Sequence, residues 1–548
     1  MMNPKIYIQF PLAVIGMQAL NPSGYAAESN RPNIIFIIAD DMTRDMFNFL
    51  PEGKGKNLSP NLDRLAREGV IMNQQHVSAT VSTPSRYNCL TGNYASRAHN
   101  PEFLASVKKN GGQRVVEWNT HIMPNDPNLA SILKNAGYFT GAVGKNHVIE
   151  VDGWKEVPLT ADFSDPSVKK TQLNNYRKTI EAYHACGFDF ADGIFYENPD
   201  FNGPRELAVH NIDWSTEAAL RFIDQSGDDP FFLYFATTLP HGPTEADRSW
   251  NADRTITPLG RIDQAPRVMP DKSTIPVRLK EANIPFNNKK ANLLWLDDAL
   301  GALLNKIEET GKAENTIIFF FNDQGQYAKG SIYQGATRSP SVIWKKGGFP
   351  VGHECNTMVS NIDFAPTILE LTHVDTKGMK FDGVSFAPVL EGQGKLTKNS
   401  LFFEIGYTKG VRVGNYKYIA IRYPEWIHKI TLEERKKILE DYNHKLAIRG
   451  KQANNEDPNA PFGHLQIIPG GGDAEFFTTQ RYKHYAEPDQ LYDLATDPEE
   501  SVNLVSLPGY QEVLQKMKSQ LKAYLDTLPG CFGEFVVDCN SGKLKTRQ

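Results

Sequence analysis

Cysteine is scarce in this chain, with five among 548 residues, and their spacing matches no cysteine-based metal site. The five are Cys89, Cys186, Cys355, Cys531 and Cys539. Cys531 and Cys539 are close enough in sequence to form a disulfide bond, and the odd count leaves at least one thiol free. The sequence also has no pattern typical of a catalytic cysteine.

An excess of charge of one sign is also missing. The chain has 59 basic and 64 acidic residues, a net charge of −5, and no long basic run, which argues against a nucleic-acid-binding protein. This balance does not exclude an anionic substrate, because a small site can be locally positive inside an acidic protein.

No apolar run is long enough to indicate a stable membrane span. The apolar stretch over residues 6–20 is short and contains Pro11. Because Lys5 precedes it and small residues follow around Ala26, we predict a cleaved secretory signal peptide over residues 1–27. We therefore expect a periplasmic or secreted protein without stable membrane insertion; the alternative is an anchor that is never cleaved.

Buried strands alternate with helices over the first 400 residues. Apolar runs at 34–38, 231–239 and 317–321 are typical of strands that are covered on both faces. Residues 292–311 predict an amphipathic helix, and Ser59 with Pro60 marks the start of a shorter one. This alternation predicts an α/β fold, with a large mixed sheet sandwiched by helices.

The pattern changes near residue 400. Short alternating segments with a turn at Gly414-Asn415 predict antiparallel strands, and Thr431 with Glu434 predicts the capping box of a charged helix. We therefore expect a catalytic domain over residues 28–400, followed by a smaller α+β domain over residues 401–548.

Polar residues follow three of the predicted strands. Asp40 and Asp41 end the first strand, His241 follows the second, and Asp323 with Gln324 ends the third. Ligands of open α/β sheets bind beyond the carboxyl ends of the strands. Three carboxylates in one pocket would need a cation, and an all-oxygen donor set favours Ca²⁺ or Mg²⁺ over zinc. The alternative is that these residues only form helix caps and turns.

Basic residues could complement such a metal site. Lys145 and His147 follow a predicted strand, and Lys329 lies shortly after Asp323. A tetrahedral anion beside a metal needs such donors. The stretch "VSATVSTPSRYNCLTG" at 77–92 allows two interpretations: a solvated turn that caps a helix, or a reaction centre with one reactive serine and Arg86 as its electrostatic partner.

Residues 82–92, "STPSRYNCLTG", match a known signature: Cys or Ser, any residue, Pro-Ser-Arg, three residues, then Leu-Thr-Gly. With "NIIFIIADD", "GYFTGAVGKNH", "PFFLYFATTLPH", "IIFFFNDQG" and "QLYDLATDPEESVNL" in order, the chain resembles type I, formylglycine-dependent sulfatases of the alkaline-phosphatase-like superfamily. The resemblance covers most of residues 31–510.

The resemblance implies that Ser82 is oxidised after synthesis to formylglycine (3-oxoalanine). A serine at this position implies a radical-SAM maturase that works without oxygen and acts before export, as in anaerobic bacteria. The implied metal ligands are Asp40, Asp41, the Ser82-derived side chain, Asp323 and Gln324, with Ca²⁺ expected and Mg²⁺ as the alternative. Gln324 departs from the family, which usually has Asn or His there.

The resemblance also implies the roles of the remaining site residues. Arg86, Lys145 and Lys329 would hold the sulfate oxygens. His241 would be the general acid that protonates the leaving oxygen, and His147 the base that deprotonates the second hydroxyl of the formylglycine hydrate, whose first hydroxyl attacks sulfur. An unmodified serine would be left as a stranded sulfate ester, because it has no second hydroxyl.

We expect a glycan O-sulfatase, a sulfuric ester hydrolase acting on a sulfated carbohydrate. Two alternatives keep the fold: a phosphodiester or phosphonate hydrolase, and an arylsulfatase acting on small esters. A third, from a different class, is a glycan-binding relative without activity. The complete set of site residues in the sequence argues against this last alternative.

Overall fold

The computed structural model describes residues 31–394, 396, 398–448, 456–459 and 478–539 of the chain. The predicted signal peptide over residues 1–27 lies outside these residues. Within the described ranges, no helix combines the length and the apolar character that crossing a membrane requires.

The centre of the molecule is an eight-stranded mixed sheet. Its order from one edge to the other is β11 (Glu354–Cys355), β2 (Val70–Met72), β10 (Ser341–Lys345), β9 (Thr316–Asn322), β1 (Asn33–Asp40), β6 (Phe231–Pro240), β4 (Phe139–Lys145) and β5 (Phe190–Phe195). The strands from β9 to β5 are parallel, and β10 runs antiparallel to both of its neighbours. Short two-stranded pairings join β3 (Gln75–His76) to β12 (Val359–Ser360), and β7 (Ile256–Thr257) to β8 (Gly260–Arg261).

Helices cover both faces of this sheet. In chain order, the helices of the described residues are α1 (Pro60–Glu68), α2 (Ser82–Thr91), α3 (Pro101–Lys109), α4 (Leu129–Asn135), α5 (Pro166–Ala185), α6 (Ile212–Gln225), α7 (Ile275–Glu281), α8 (Asn288–Glu309), α9 (Gln334–Thr337), α10 (Phe364–Leu371), α11 (Ala387–Leu390), α12 (Glu425–Lys429), α13 (Leu432–Ile448) and α14 (Gln511–Leu525).

Strand β1 shows why the sheet has two cores. Ile34 and Phe36 belong to the core that includes α2, α4 and α10, whereas Ile35 and Ile37 belong to the core that includes α1, α6 and α8. Successive side chains of a strand point to opposite faces, so a continuous apolar run fits burial on both sides. The predicted α/β fold class is confirmed.

Helix α8 is buried over more of its circumference than the sequence predicts. The predicted stripe, which includes Leu293, Leu300 and Ile307, is buried, but Leu294 and Trp295 are buried as well. The helix packs against α1, α6 and α7 in addition to β6, so several of its faces are covered.

The C-terminal part forms a four-stranded antiparallel sheet of β13 (Ser400–Ile405), β14 (Thr408–Val413), β15 (Tyr416–Ile421) and β16 (Asp489–Asp493). One face packs against α14, and the other contributes to the core beneath α2. The predicted capping box is present, because Thr431 and Glu434 bind each other's backbone N–H groups at 3.2 and 2.8 Å. The domain boundary at residue 400 remains a prediction.

The structure joins Cys531 to Cys539 in a disulfide bond, as their spacing allows. Cys89, Cys186 and Cys355 are free thiols, and all three are buried.

Candidate active site

The polar strand ends meet at one edge of the central sheet. Strands β9, β1, β6 and β4 are consecutive neighbours and run parallel, so their carboxyl ends lie side by side. Asp323 follows β9, Asp40 ends β1, and Lys145 ends β4. Asp41 turns away from the strand direction with φ of 64°. The sheet therefore gathers residues that lie far apart in the sequence.

Three carboxylates converge at this edge. Asp40, Asp41 and Asp323 each offer an oxygen, and these oxygens lie within 4.8 Å of one another. Asp40 and Asp323 are fully buried. Burial, followed by the charge of Asp40, raises the pKa of Asp323 to about 7. Burial alone would raise the pKa of Asp40 as well, but the charges of Lys145, His241 and Arg86 hold it well below its ordinary value.

The donor atoms fit a hard divalent cation. The side-chain Nε2 of Gln324 donates to Asp41 Oδ1, while its buried Oε1 has no hydrogen-bond partner among the described residues. Rotation of the amide exchanges these two atoms and brings an oxygen toward the carboxylates. Carboxylate and amide oxygens are the ligands that Ca²⁺ and Mg²⁺ prefer. Asp40, Asp41, Asp323 and Gln324 could therefore hold such an ion.

Ser82 is the first residue of helix α2 and lies against two of these carboxylates. Its Oγ is 2.5 Å from Asp323 Oδ2 and 3.2 Å from Asp40 Oδ1. All ten residues of α2 are buried, so the stretch is neither a solvated turn nor a surface cap. Ser85, one residue beyond Pro84, fixes the helix by donating to the backbone oxygen of Asp323 at 2.5 Å. The helix N-terminus adds positive potential at this point.

Arg86 lies one helical turn after Ser82, on the same face of α2. Its Nη2 is 3.3 Å from Asp40 Oδ1 and 3.4 Å from Asp323 Oδ2. The side chain is fully buried, yet its Nε and Nη1 have no hydrogen-bond partner within the described ranges. Buried donors without a partner are costly, and an anion at this point would satisfy them.

Two lysines complete the cationic lining. Lys145 Nζ is 2.7 Å from Asp40 Oδ2, and Lys329 Nζ is 2.7 Å from both carboxylate oxygens of Asp41. Burial lowers the pKa of Lys145, whereas for Lys329 the charges of the aspartates, led by Asp41, outweigh burial and raise the pKa. Each lysine is thus held by a different aspartate.

The two histidines lie in different surroundings. His241 Nε2 is 3.3 Å from Asp41 Oδ2, and its Nδ1 is 3.0 Å from the backbone oxygen of Gly242, which requires a proton on Nδ1. His147 lies beside Glu197 instead, with its Nε2 3.9 Å from Glu197 Oε2. Burial, followed by the charges of Lys145 and Arg86, lowers the pKa of His147 well below its ordinary value.

Sequence reasoning missed the loop that follows β5. This loop brings Glu197 to His147 and places Asn198 Nδ2 3.3 Å from His241 Nε2. The only signal was a pair of polar residues after a strand that Asp192 and Gly193 interrupt.

Asn322 was missed as well. Its Oδ1 accepts from the backbone N–H of Met42 at 2.8 Å, and its Nδ2 donates to the backbone oxygen of Met42 at 3.1 Å, so the side chain connects β9 to the loop after β1.

Comparison with known proteins gives this geometry a family. A family model described as sulfatase matches residues 32–374, and a second, described as the C-terminal part of N-sulphoglucosamine sulphohydrolase, matches residues 322–438. The chain is 25% identical over 423 residues to the N-acetylglucosamine-6-sulfatase of Homo sapiens, covering 71% of this chain and 69% of that protein. It is 26% identical over 457 residues to the N-acetylglucosamine-6-O-sulfatase of Bacteroides thetaiotaomicron, covering 72% and 76%.

A solved structure shares the fold. It is a protein in complex with its substrate D-glucosamine-2-N,6-O-disulfate, which aligns with a TM-score of 0.54 and 18% identity, covering 90% of this chain and 97% of that one. The sulfatase model spans more than half of the 548 residues. This chain therefore belongs to the sulfatase family, the sulfuric ester hydrolases with an alkaline-phosphatase-like fold.

Proposed function

We propose that this sulfatase hydrolyses sulfate esters on a sulfated carbohydrate, with Ser82 as the precursor of its nucleophile. One observation carries the proposal: Ser82 Oγ lies 2.5 Å from Asp323 and 3.2 Å from Asp40, at the point where a cation and an anion would both be held. A purely structural serine would not need three carboxylates and three basic side chains around it.

The basic side chains support binding of a sulfate group. Arg86, Lys145 and Lys329 surround the carboxylates, and two nitrogens of Arg86 are buried without a partner among the described residues. We infer that these groups bind the sulfate oxygens and offset the charge that develops in the transition state. A guanidinium also orients an oxyanion, because its N–H groups point in fixed directions.

A metal ion and the modified form of Ser82 would complete the proposed chemistry. A Ca²⁺ ion held by Asp40, Asp41, Asp323 and Gln324 would supply the positive charge that offsets the carboxylates and would acidify a neighbouring hydroxyl. Formylglycine made from Ser82 would supply, when hydrated, one hydroxyl to attack sulfur and a second whose deprotonation releases sulfate.

The histidines are suited to proton transfer in different surroundings, His241 beside Asp41 and His147 beside Glu197. His241 keeps a proton on Nδ1 through Gly242, so its Nε2 is the atom that exchanges a proton with the leaving sugar oxygen. We infer that His147, which burial keeps neutral, is the base that takes the proton of the second hydroxyl. Glu197 then faces the imidazolium that forms.

The names of the relatives support a glycan substrate. Both relatives described above are named for 6-sulfated N-acetylglucosamine, and the solved structure contains a disulfated glucosamine.

We also propose export through the signal peptide over residues 1–27, modification of Ser82 by an anaerobic radical-SAM maturase before export, and the division at residue 400 into two domains.

The test uses the enzyme co-expressed with an anaerobic maturase. Mass spectrometry of the peptide spanning Ser82 should show the loss of two hydrogens, and a panel of defined sulfated mono- and disaccharides should release sulfate. Ser82→Ala should fold and release none. Active enzyme with an unmodified Ser82 would overturn the mechanism, and faster cleavage of an aryl phosphate than of any sulfate would overturn the substrate class.

A further inference from the structure

Three arginines lie near one another on the flank of the sheet that carries β10 and β2. Arg338 precedes β10, Arg412 lies in β14, and Arg44 follows β1. Arg338 Nε donates to the backbone oxygen of Asn73 at 3.1 Å, and Arg412 Nη1 donates to the side chain of the next residue, Gln74, at 3.2 Å. The guanidinium groups of Arg338 and Arg412 therefore bind consecutive residues.

The positive charge of this group is only partly neutralised. Glu52 binds Arg44 through Nε at 2.8 Å, and Glu500, whose charge acts on Arg412, is bound by Lys417 at 2.9 Å. Burial, followed by the charges of Arg44 and Arg412, lowers the pKa of Arg338. Like charges held together in this way favour the binding of an anion.

Arg338 is the arginine best placed to bind a ligand. Within the described ranges its side chain makes one hydrogen bond, from Nε to the backbone oxygen of Asn73, which leaves both terminal N–H₂ groups available, and the side chain is partly exposed. Arg412 is instead fixed by contacts to Gln74, His76 and Gln334 at 2.9–3.3 Å. Because Arg412 is fixed, its positive charge stays beside Arg338, and the site is organised before a ligand binds.

The group lies at the same edge of the sheet as the reaction centre. The backbone N–H of Gly325, next to Gln324, donates to the oxygen of Ala336 at 2.8 Å, two residues before Arg338. Strands β10 and β2 are the second and third neighbours of β1 in the sheet. Neighbouring strands lie about 4.8 Å apart, which places Arg338 roughly 10–15 Å from Asp40 along this edge. An oligosaccharide can span that distance.

We propose that Arg338, supported by Arg412 and Arg44, binds a second anionic group, a carboxylate or a further sulfate, on a sugar near the one that loses its sulfate. This inference rests on the proposed function and deepens it, because it makes the substrate an acidic oligosaccharide rather than an isolated sulfated sugar. The planar fork of a guanidinium matches both oxyanions in two-point contacts.

The experiment compares matched oligosaccharides on the full-length enzyme. One set carries the reactive sulfate next to a uronate, a second has the carboxyl group reduced to an alcohol, and a third carries a further sulfate in its place. The readouts are the ratio of kcat/KM for acidic over reduced substrate, and the same ratio of affinities measured by calorimetry on Ser82→Ala, which needs no turnover.

Wild-type enzyme should prefer the acidic partners, and Arg338→Gln should reduce the preference about ten- to a hundredfold, the usual loss for a charge-assisted pair. The control Arg67→Gln removes a side chain that is 68% exposed on α1 and should keep the preference. If the Arg338 variants lose the preference for the uronate substrate, the bound anion is a carboxylate. If they lose the preference for the substrate with the further sulfate, it is a sulfate. Arg338→Lys keeps the charge without the fork and should lose part of the preference even if Arg338→Gln does not fold.

Equal losses on acidic and reduced substrates in both Arg338 variants, or a wild-type enzyme without preference, would overturn the subsite. The two proposals can fail separately. If no sulfated sugar is turned over by matured enzyme, the proposed function fails, while the affinity ratio on Ser82→Ala still decides whether Arg338 binds an anion.

Discussion

At the scale of single residues, Glu197 has the clearest consequence for proton transfer. Its carboxylate lies 3.9 Å from His147 Nε2 and is 27% exposed. As the proposed base, His147 would become an imidazolium, which a negative charge at that distance stabilises. We expect Glu197→Gln to lower kcat about three- to tenfold with little change in KM, and to move the acidic limb of the pH–rate profile to lower pH, because the conjugate acid of His147 becomes stronger.

The matched control is Glu181→Gln. Glu181 lies on α5, is 66% exposed, and faces Arg177 at 3.8 Å. A charge removed there should leave kcat and the pH profile as they are. An acidic limb that moves to higher pH in Glu197→Gln, or that moves equally in both variants, would rule out the role of Glu197 beside the base.

Gly144 is the residue on which the position of Lys145 depends. Its φ is +90°, and a Cβ built on it would lie 1.9 Å from the backbone oxygen of Ala236 in the neighbouring strand β6. Gly144→Ala must therefore push β4 away from β6 and move Lys145 from Asp40. We expect a loss of more than about 2 kcal/mol in the free energy of unfolding, together with a loss of activity.

Gly227→Ala separates the two causes of this loss, which are the strain of a positive φ and the contact with Ala236. Gly227 also has a positive φ, of +54°, but no atom of the described residues would lie within 4 Å of an added Cβ. Backbone strain alone costs about 1 kcal/mol there. Urea unfolding of both variants gives the comparison, and equal losses would show that the contact with Ala236 does not matter.

At the scale of secondary-structure elements, His210 connects the end of β6 to the loop that carries His241. Its Nδ1 accepts from Thr238 Oγ1 at 2.8 Å, and its Nε2 donates to the backbone oxygen of Pro243 at 3.1 Å. The bond to Pro243 fixes a proton on Nε2, so Nδ1 is the acceptor in the neutral ring and this acceptor is lost when the ring is protonated. Burial, followed by the charge of His241, lowers the pKa of His210 to about 3.

This contact predicts a dependence of stability on pH. Between the folded pKa of about 3 and an unfolded value of about 6.5, the unfolded chain binds more protons, so stability falls as the pH falls through this window. We expect His210 to contribute a loss of about 2 kcal/mol between pH 7.5 and pH 5. His210→Gln should be less stable at pH 7.5 but lose less on acidification; an equal loss in both proteins would contradict this.

The sequence predicted the elements that have a simple burial pattern. Strands β1, β6 and β9 were predicted because both of their faces are covered, so their apolar runs are continuous. The apolar runs of β2 and β10 are only three residues long, and β11 consists of two residues, so these strands could not be recognised in this way. The loop after β5 could not be placed either, because Asp192 and Gly193 interrupt its strand.

The same limit applies to the site. Asp40, Asp41 and Asp323 could be proposed from the sequence, because parallel strands bring their ends to one edge. Glu197 and Arg338 could not, since their positions depend on a loop path and on an antiparallel return along the sheet. Contacts of this kind, between residues that are distant in the sequence, follow from packing and not from local sequence.

At the scale of the whole molecule, the three carboxylates connect metal binding to folding. Asp41 N donates to Asp323 Oδ1 at 3.1 Å across 282 positions of the chain, so the cluster exists only when the centre of the sheet has formed. A cation that binds this cluster and not the unfolded chain stabilises the fold by about 2.7 kcal/mol at a hundred times its Kd. We expect chelation to lower the melting temperature by a few degrees and added Ca²⁺ to restore it.

Asp323→Asn should raise the melting temperature of the metal-free protein and abolish the increase that Ca²⁺ causes. The amide keeps the shape of the side chain and removes one of three like charges that lie within 4.8 Å of one another, so the metal-free variant should melt above metal-free wild type. The same change removes a ligand, so Ca²⁺ should no longer raise the melting temperature. The exposed control Asp228→Asn should behave as wild type in both respects. A full Ca²⁺ response in Asp323→Asn would place the ion elsewhere, and a lower melting temperature of its metal-free form would mean that repulsion among these carboxylates does not limit stability.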